Sequence, residues 1–140
     1  MSRVFWDTNL FIYLFEDHPE FSKPTIELRH RMLERRDELV TSMMTLGEIQ
    51  VKPRRGGDYT LAARYRDAIK QSSAVAPFSE AAADIYARLR ENMAIKPPDA
   101  IQLSCAAAAG VELFITNDAS LHRLTVPGIH FVTSLVRVPI

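Results

Sequence analysis

The strongest constraint on this chain is the form of its apolar runs. They are short, and they are apolar at consecutive positions rather than at alternate ones, as in Val4-Phe5-Trp6 and Leu113-Phe114-Ile115. A strand of that kind has no solvent face, so it belongs in a parallel sheet covered by helices on both sides. The runs predict strands over residues 4–6, 39–41, 74–78, 112–116 and 129–132. Helix-period stretches between them predict helices over 9–15, 25–38, 45–51, 59–71, 80–92 and 98–109. Pro97-Pro98 marks a helix start and Gly110 a helix stop. Such alternation gives an α/β domain with a central, mostly parallel, five-stranded sheet flanked by helices.

At 140 residues with 47% hydrophobic and 24% charged content, the chain fits one soluble domain, expected to span residues 1–140. A chain of this length buries roughly 70% of the surface its unfolded form exposes, so the fold itself needs no disulfide or structural metal. The single cysteine, Cys105, excludes an internal disulfide and a cysteine-rich zinc site. No apolar run is long enough for a membrane span, and strand-like residues open the chain where a leader would stand, so a cytoplasmic protein is expected. Seventeen basic residues balance seventeen acidic ones, which excludes a protein that coats nucleic acid by bulk charge.

In an open parallel sheet, ligands bind beyond the carboxyl ends of the strands, so the residues there carry the chemistry. Acids recur at those places. The first strand runs into Asp7-Thr8-Asn9, the second leads within a turn to Thr45-Leu46-Gly47-Glu48, and the fourth runs out through Ile115-Thr116-Asn117-Asp118. A fourth acid, Asp99, opens the helix after Pro97-Pro98. Each acid taken singly has an ordinary structural reading. Asp7 can cap its helix, Thr45-x-x-Glu48 has capping-box spacing, and Asp99 and Asp118 can complement a helix dipole for about 0.3–1 kcal/mol each.

Capping does not require convergence, however, and helices that follow parallel strands begin at one sheet edge. Asp7, Glu48 and Asp118 are therefore directed towards a single cleft. Two carboxylates about 4 Å apart repel by roughly 4 kcal/mol at an effective dielectric near 20, so such a cluster takes up protons or binds cations. Oxygen-only ligands favour magnesium or manganese over zinc. Up-and-down counting puts the start of a helix that follows another helix at the opposite edge. Spacing alone therefore does not bring Asp99 to the other three.

With these four acids in this order, the chain resembles the PIN-domain ribonucleases, and among them the single-domain VapC-type toxins of toxin-antitoxin pairs. The resemblance spans nearly the whole chain and rests on Val4-Phe5-Trp6-Asp7-Thr8-Asn9, Thr45-Leu46-Gly47-Glu48, Pro98-Asp99-Ala100-Ile101 and Ile115-Thr116-Asn117-Asp118. It implies a PIN-like fold in which Asp7, Glu48, Asp99 and Asp118 line one pocket holding one or two magnesium or manganese ions. It further implies that Thr8, Asn9, Thr116 and Asn117 support the carboxylates or the attacking water. A cognate antitoxin and a homodimer follow from the same resemblance.

The expected reaction is hydrolysis of RNA phosphodiester bonds, in transfer, ribosomal or messenger RNA, leaving a 5′-phosphate and a 3′-hydroxyl. Arg54 and Arg55, in the glycine-rich basic loop over residues 52–57, are the expected phosphate contacts. A metal-dependent DNA nuclease and a non-catalytic PIN-like interaction module are the alternatives. A haloacid-dehalogenase-type phosphatase wants an aspartate where Asn9 stands. A receiver domain wants an aspartate and a lysine where Phe78-Ser79 and Arg137 stand. The four histidines share no motif. Cys105 and Phe11, Tyr13 and Phe15 read as packing residues, and residues 29–38 as a solvated helix face.

Overall fold

A computed structural model describes all of residues 1–140. In chain order the elements are β1 (Arg3–Trp6), α1 (Thr8–Phe15), α2 (Ser22–Arg35), β2 (Glu38–Ser42), α3 (Met43–Arg55) and α4 (Tyr59–Ser72). They continue with β3 (Ala74–Ala76), α5 (Glu80–Leu89), α6 (Pro97–Ala108), β4 (Leu113–Ile115), a 3₁₀ turn (Ala119–Leu121) and β5 (Phe131–Thr133). All five strands are parallel, in the order β3-β2-β1-β4-β5. Val4 stands opposite both Leu39 and Leu113, which fixes the register of the three central strands.

The consecutive apolar residues of β1 divide between two cores, because successive side chains of a strand point to opposite faces. Val4 and Trp6 join Leu39, Leu113 and Ile115 against Leu10, Phe11, Leu28 and Met32 of α1 and α2. Phe5 joins Val40 and Phe114 against Ala100, Leu103 and Ala106 of α6. The Phe5 and Phe114 rings stack at 4.8 Å between centroids. Alanines let α6 approach the sheet closely, and removal of a ring such as Phe5 would cost about 3–5 kcal/mol.

Several boundaries differ from those the sequence predicts. The second helix starts at Ser22 rather than residue 25 and stops at Arg35, because Arg36 adopts a left-handed backbone (φ 60°) that ends the helix. Glu38 then pairs with Arg3 in register, so it is strand rather than helix, and Asp37 is buried rather than solvated. β3 ends at Ala76 because Pro77 cannot donate to a sheet ladder. The basic segment 52–57 is mostly not a loop. Residues 52–55 form the last turn of α3, with Pro53 buried inside the helix and only Gly56 and Gly57 turning the chain.

The chain builds β1, β2 and β3 outward on one side, then returns to place β4 on the other flank of β1. The carboxyl ends of β1 and β4 therefore bound the switch point at which open α/β sheets take ligands. To deliver β4 parallel to β1, α6 must start at that edge and run down. Ser79, at the start of α5, shares a small cavity with Ala108 and Ala109 at the end of α6, so the two helices lie antiparallel. α5 climbs the sheet and α6 descends it. Up-and-down counting fails here because it assumes that α5 begins at the carboxyl edge.

Candidate active site

Asp7 is the first residue past β1. Its backbone N–H extends the ladder to the Ile115 carbonyl at 3.0 Å, which rigidly fixes where the side chain leaves the sheet. Its Oδ1 accepts from the Thr8 backbone N–H at 2.9 Å, so the helix-cap reading holds as far as it goes. The same oxygen also accepts from Gln102 Nε2 at 3.2 Å, and Oδ2 accepts from Thr116 Oγ1 at 2.7 Å. These donors reach the carboxylate from three different elements.

Glu48 does not form a capping box. α3 begins at Met43, and its cap residue Ser42 makes no side-chain cap bond. Thr45 instead accepts from Thr41 Oγ1 at 2.9 Å and from Gln102 Nε2 at 2.8 Å, and Glu48 Oε1 accepts from Thr8 Oγ1 at 2.7 Å. Asp118 caps the 3₁₀ turn, its Oδ1 accepting from the Ser120 N–H at 3.0 Å and from Ser120 Oγ at 2.7 Å. Asp99 sits in the first turn of α6 beside Pro98. The antiparallel α5–α6 pair is what carries it to the other three.

Asp7, Glu48, Asp99 and Asp118 all line one cavity of about 460 Å³. Thr8, Asn9 and Gln102 supply its neutral polar wall, and Ile12 and Val51 its apolar rim. None of the four acids is in an ion pair. Burial holds the Asp7 carboxyl above its ordinary range against the pull of its hydrogen bonds, and Asp118 raises it further. Glu48 is raised by burial and then by Asp7 and Asp99, and Asp99 by burial and then by Asp118 and Asp7. Asp7, Glu48 and Asp99 thus each feel the charge of a neighbouring carboxylate.

The remaining expected residues divide. Thr8 bonds Glu48, and Thr116, fully buried below the cavity, bonds Asp7. Asn9 lines the cavity and accepts from the Asn117 backbone N–H at 3.4 Å, while the Asn117 side chain donates to Tyr13 Oη and stays out of the cavity. Arg54 and Arg55 are not brought to the site. They lie about two turns beyond Glu48 along α3, with the Arg54 guanidinium 5.0 Å from the Tyr59 ring centroid.

Sequence reasoning missed Gln102. It is almost fully buried; its amide nitrogen reaches Asp7, Thr8 and Thr45, and its carbonyl accepts from Ser42. The signal was the spacing Asp99-x-x-Gln102, which places both side chains on one helix face.

Oxygen-only donors in a cavity without a cationic side chain suit a hard divalent ion. No three of the carboxylates stand close enough to make a ready-formed cage.

Comparison with known proteins bears on this arrangement. The family model described as PIN domain matches residues 4–127. No curated protein sequence matches the chain. Among solved structures, a chain of VapBC2 from Rickettsia felis bound to a DNA fragment from their promoter is similar, with TM-score 0.75 and 18% identity over 94% of this chain and 97% of that one. A chain of VapBC-1 from nontypeable Haemophilus influenzae gives 0.74 and 21% over 96% and 98%. A chain of a toxin-antitoxin complex from Klebsiella pneumoniae gives 0.65 and 26% over 91% and 95%.

Proposed function

This chain belongs to the PIN domain family, and from that premise we propose that it is a VapC-type toxin, a divalent-metal-dependent endoribonuclease held in check by an antitoxin. The observation that carries the reading is the convergence of four acids, from four separate segments, in one cavity with no counter-cation. A non-catalytic module has no use for that arrangement, since mutual repulsion raises the free energy of the fold. The toxin assignment and the antitoxin partner draw support from the similar structures, which are toxin-antitoxin assemblies. No helix is long and apolar enough to cross a membrane.

In this reading Asp7, Glu48, Asp99 and Asp118 hold one or two magnesium or manganese ions. When bound, such an ion supplies the positive charge that draws in a phosphodiester and eases deprotonation of water. The acids themselves are not nucleophiles. Thr116 and Gln102 fix the two oxygens of Asp7, and Thr8 fixes Glu48, so that the free lone pairs point into the cavity. Water adds to phosphorus and the bond to the ribose 3′-oxygen breaks, that oxygen taking up a proton. The products are a 5′-phosphate and a 3′-hydroxyl, with no attack by the 2′-hydroxyl.

The test is incubation of the purified protein with end-labelled transfer and ribosomal RNA, with magnesium or manganese against chelator, followed by end-group analysis. Discrete, cation-dependent cuts leaving 5′-phosphates are expected. Cuts leaving 2′,3′-cyclic phosphates, or cleavage undiminished by chelator, would refute the mechanism.

A further inference from the structure

Beyond Asp118 the character of the surface reverses. The 3₁₀ turn that Asp118 caps leads into His122, whose Nε2 donates to the Thr116 carbonyl at 2.8 Å, and the Thr116 N–H in turn donates to the Thr133 carbonyl at 3.0 Å. The acidic cavity is thus tied through Thr116 to the edge strand β5. Two further cavities, of about 290 and 170 Å³, lie along that strand and share His122 and Val132 in their walls. Together they make a furrow that runs along β5 past His122, which is itself bonded to the Thr116 carbonyl two residues before Asp118.

No acidic residue lines either cavity, whereas Arg123 and His130 line the first and Arg137 the second. Neither arginine is in an ion pair. Ser134 and Thr133 add hydroxyls beside Arg137, and Phe131 lines the furrow with 64% of its surface exposed. Unpaired arginines together with an exposed aromatic on a grooved strand match what single-stranded nucleic acid needs: cations for the backbone and a ring face for a base.

We propose that the furrow along β5, with Arg123, Arg137 and Phe131 as its contacts, is the track that holds single-stranded RNA leading into the acidic cavity. Arg123 and Arg137 bind backbone phosphates, and Phe131 stacks a base. The track supplies the attraction that the cavity itself lacks, and it takes the role that sequence reasoning gave to Arg54 and Arg55. It rests on the RNA reading above.

The experiment measures binding without cleavage. Wild-type protein in EDTA is titrated into a fluorescein-labelled ten-nucleotide single-stranded RNA, with anisotropy read between 50 and 200 mM KCl. Arg123→Gln combined with Arg137→Gln is expected to weaken binding at least tenfold and to flatten the logarithmic salt slope by about 1.4, since each phosphate contact on a single strand contributes about 0.7. Phe131→Ser is expected to weaken binding by about 5- to 150-fold with the slope unchanged. Arg54→Gln with Arg55→Gln is expected to change neither. All three sets lie on exposed positions, and circular dichroism melts verify folding. Wild-type binding that survives the Arg123 and Arg137 changes with its slope intact would overturn the track and leave the RNA reading standing. Wild-type protein that binds no RNA in EDTA would overturn the track, whereas the ribonuclease reading falls only if the cation-dependent cleavage assay above shows no cuts.

Discussion

The two ends of the sheet treat charge in opposite ways. At the amino ends of β1 and β2 the acids, Asp37 and Glu38, have cations. Arg3 meets Glu38 at 2.8 Å, and Arg35 meets Asp37 at 2.9 Å, with the chain's amino terminus 3.9 Å from the same carboxylate. Asp37 is buried, yet the Ser2 backbone N–H also donates to it, and its charge is fully accounted for within the fold. At the carboxyl ends, four acids share a cavity and none of them is in an ion pair. Charge that serves the fold is neutralised on the spot. Charge left open is, in the proposed reading, what a divalent cation would neutralise.

The sharpest way to break that comparison is to remove an open charge. Outer partners of a metal site typically cost about 10- to 100-fold when lost, so Asp7→Asn, which removes a ligand, should lower RNA cleavage by more than about a hundredfold. The same variant should melt higher than wild type in chelator, because it deletes a charge that burial and Asp118 disfavour. A lower melting temperature would show that Asp7 serves the fold after all.

Gln102→Leu tests whether the neutral wall matters. Without its amide, Asp7 and Thr45 each lose a donor, and affinity for manganese, read by calorimetry, should fall by about 10- to 100-fold. A structural role alone would lower the melting temperature and leave affinity per folded molecule unchanged.

At the amino edge the prediction reverses. Asp37→Ala should destabilise the protein by about 1–3 kcal/mol, seen in urea melts, without changing cleavage per folded molecule. Chelation and pH give a further contrast. The folded pKa values of Asp7, Glu48 and Asp99 lie above the ordinary 3.8 for aspartate and 4.5 for glutamate, so the folded state binds the extra protons. Stability of the chelated protein should therefore fall as pH rises from that ordinary range through the raised values, and magnesium should restore it above them. Chelated protein that gains stability over that rise would contradict the open-charge account. The smallest effect belongs to Glu38→Gln, which breaks an ion pair exposed on both sides and should cost no more than about 1 kcal/mol.

Much of this was legible in the sequence, and the reasons are local. Val4-Phe5-Trp6 could only be a strand buried on both faces, and that one inference led to the parallel sheet and to the edge where Asp7, Glu48 and Asp118 meet. Asp99 was not placed by spacing, because the course of α5 depends on the packing of two helices against each other. Arg54 and Arg55 were misread for a different reason. Pro53 looks like a helix breaker, but it costs only the one bond its missing N–H would make, and α3 runs on through it to Arg55. Gln102 was passed over because a single amide carries no signature until its three acceptors are known.

The sheet order has one more consequence, for the timing of activity in a growing polypeptide. β1 forms the centre of the sheet, yet its neighbour on one side is β4, and Asp118 follows only after that strand. A ribosome-bound chain that has emerged through α4 already owns Asp7 and Glu48 but only part of the seat. The fold brings its acids together only when one of its last segments docks, so on the proposed reading a nascent chain would lack a complete seat through most of its own translation.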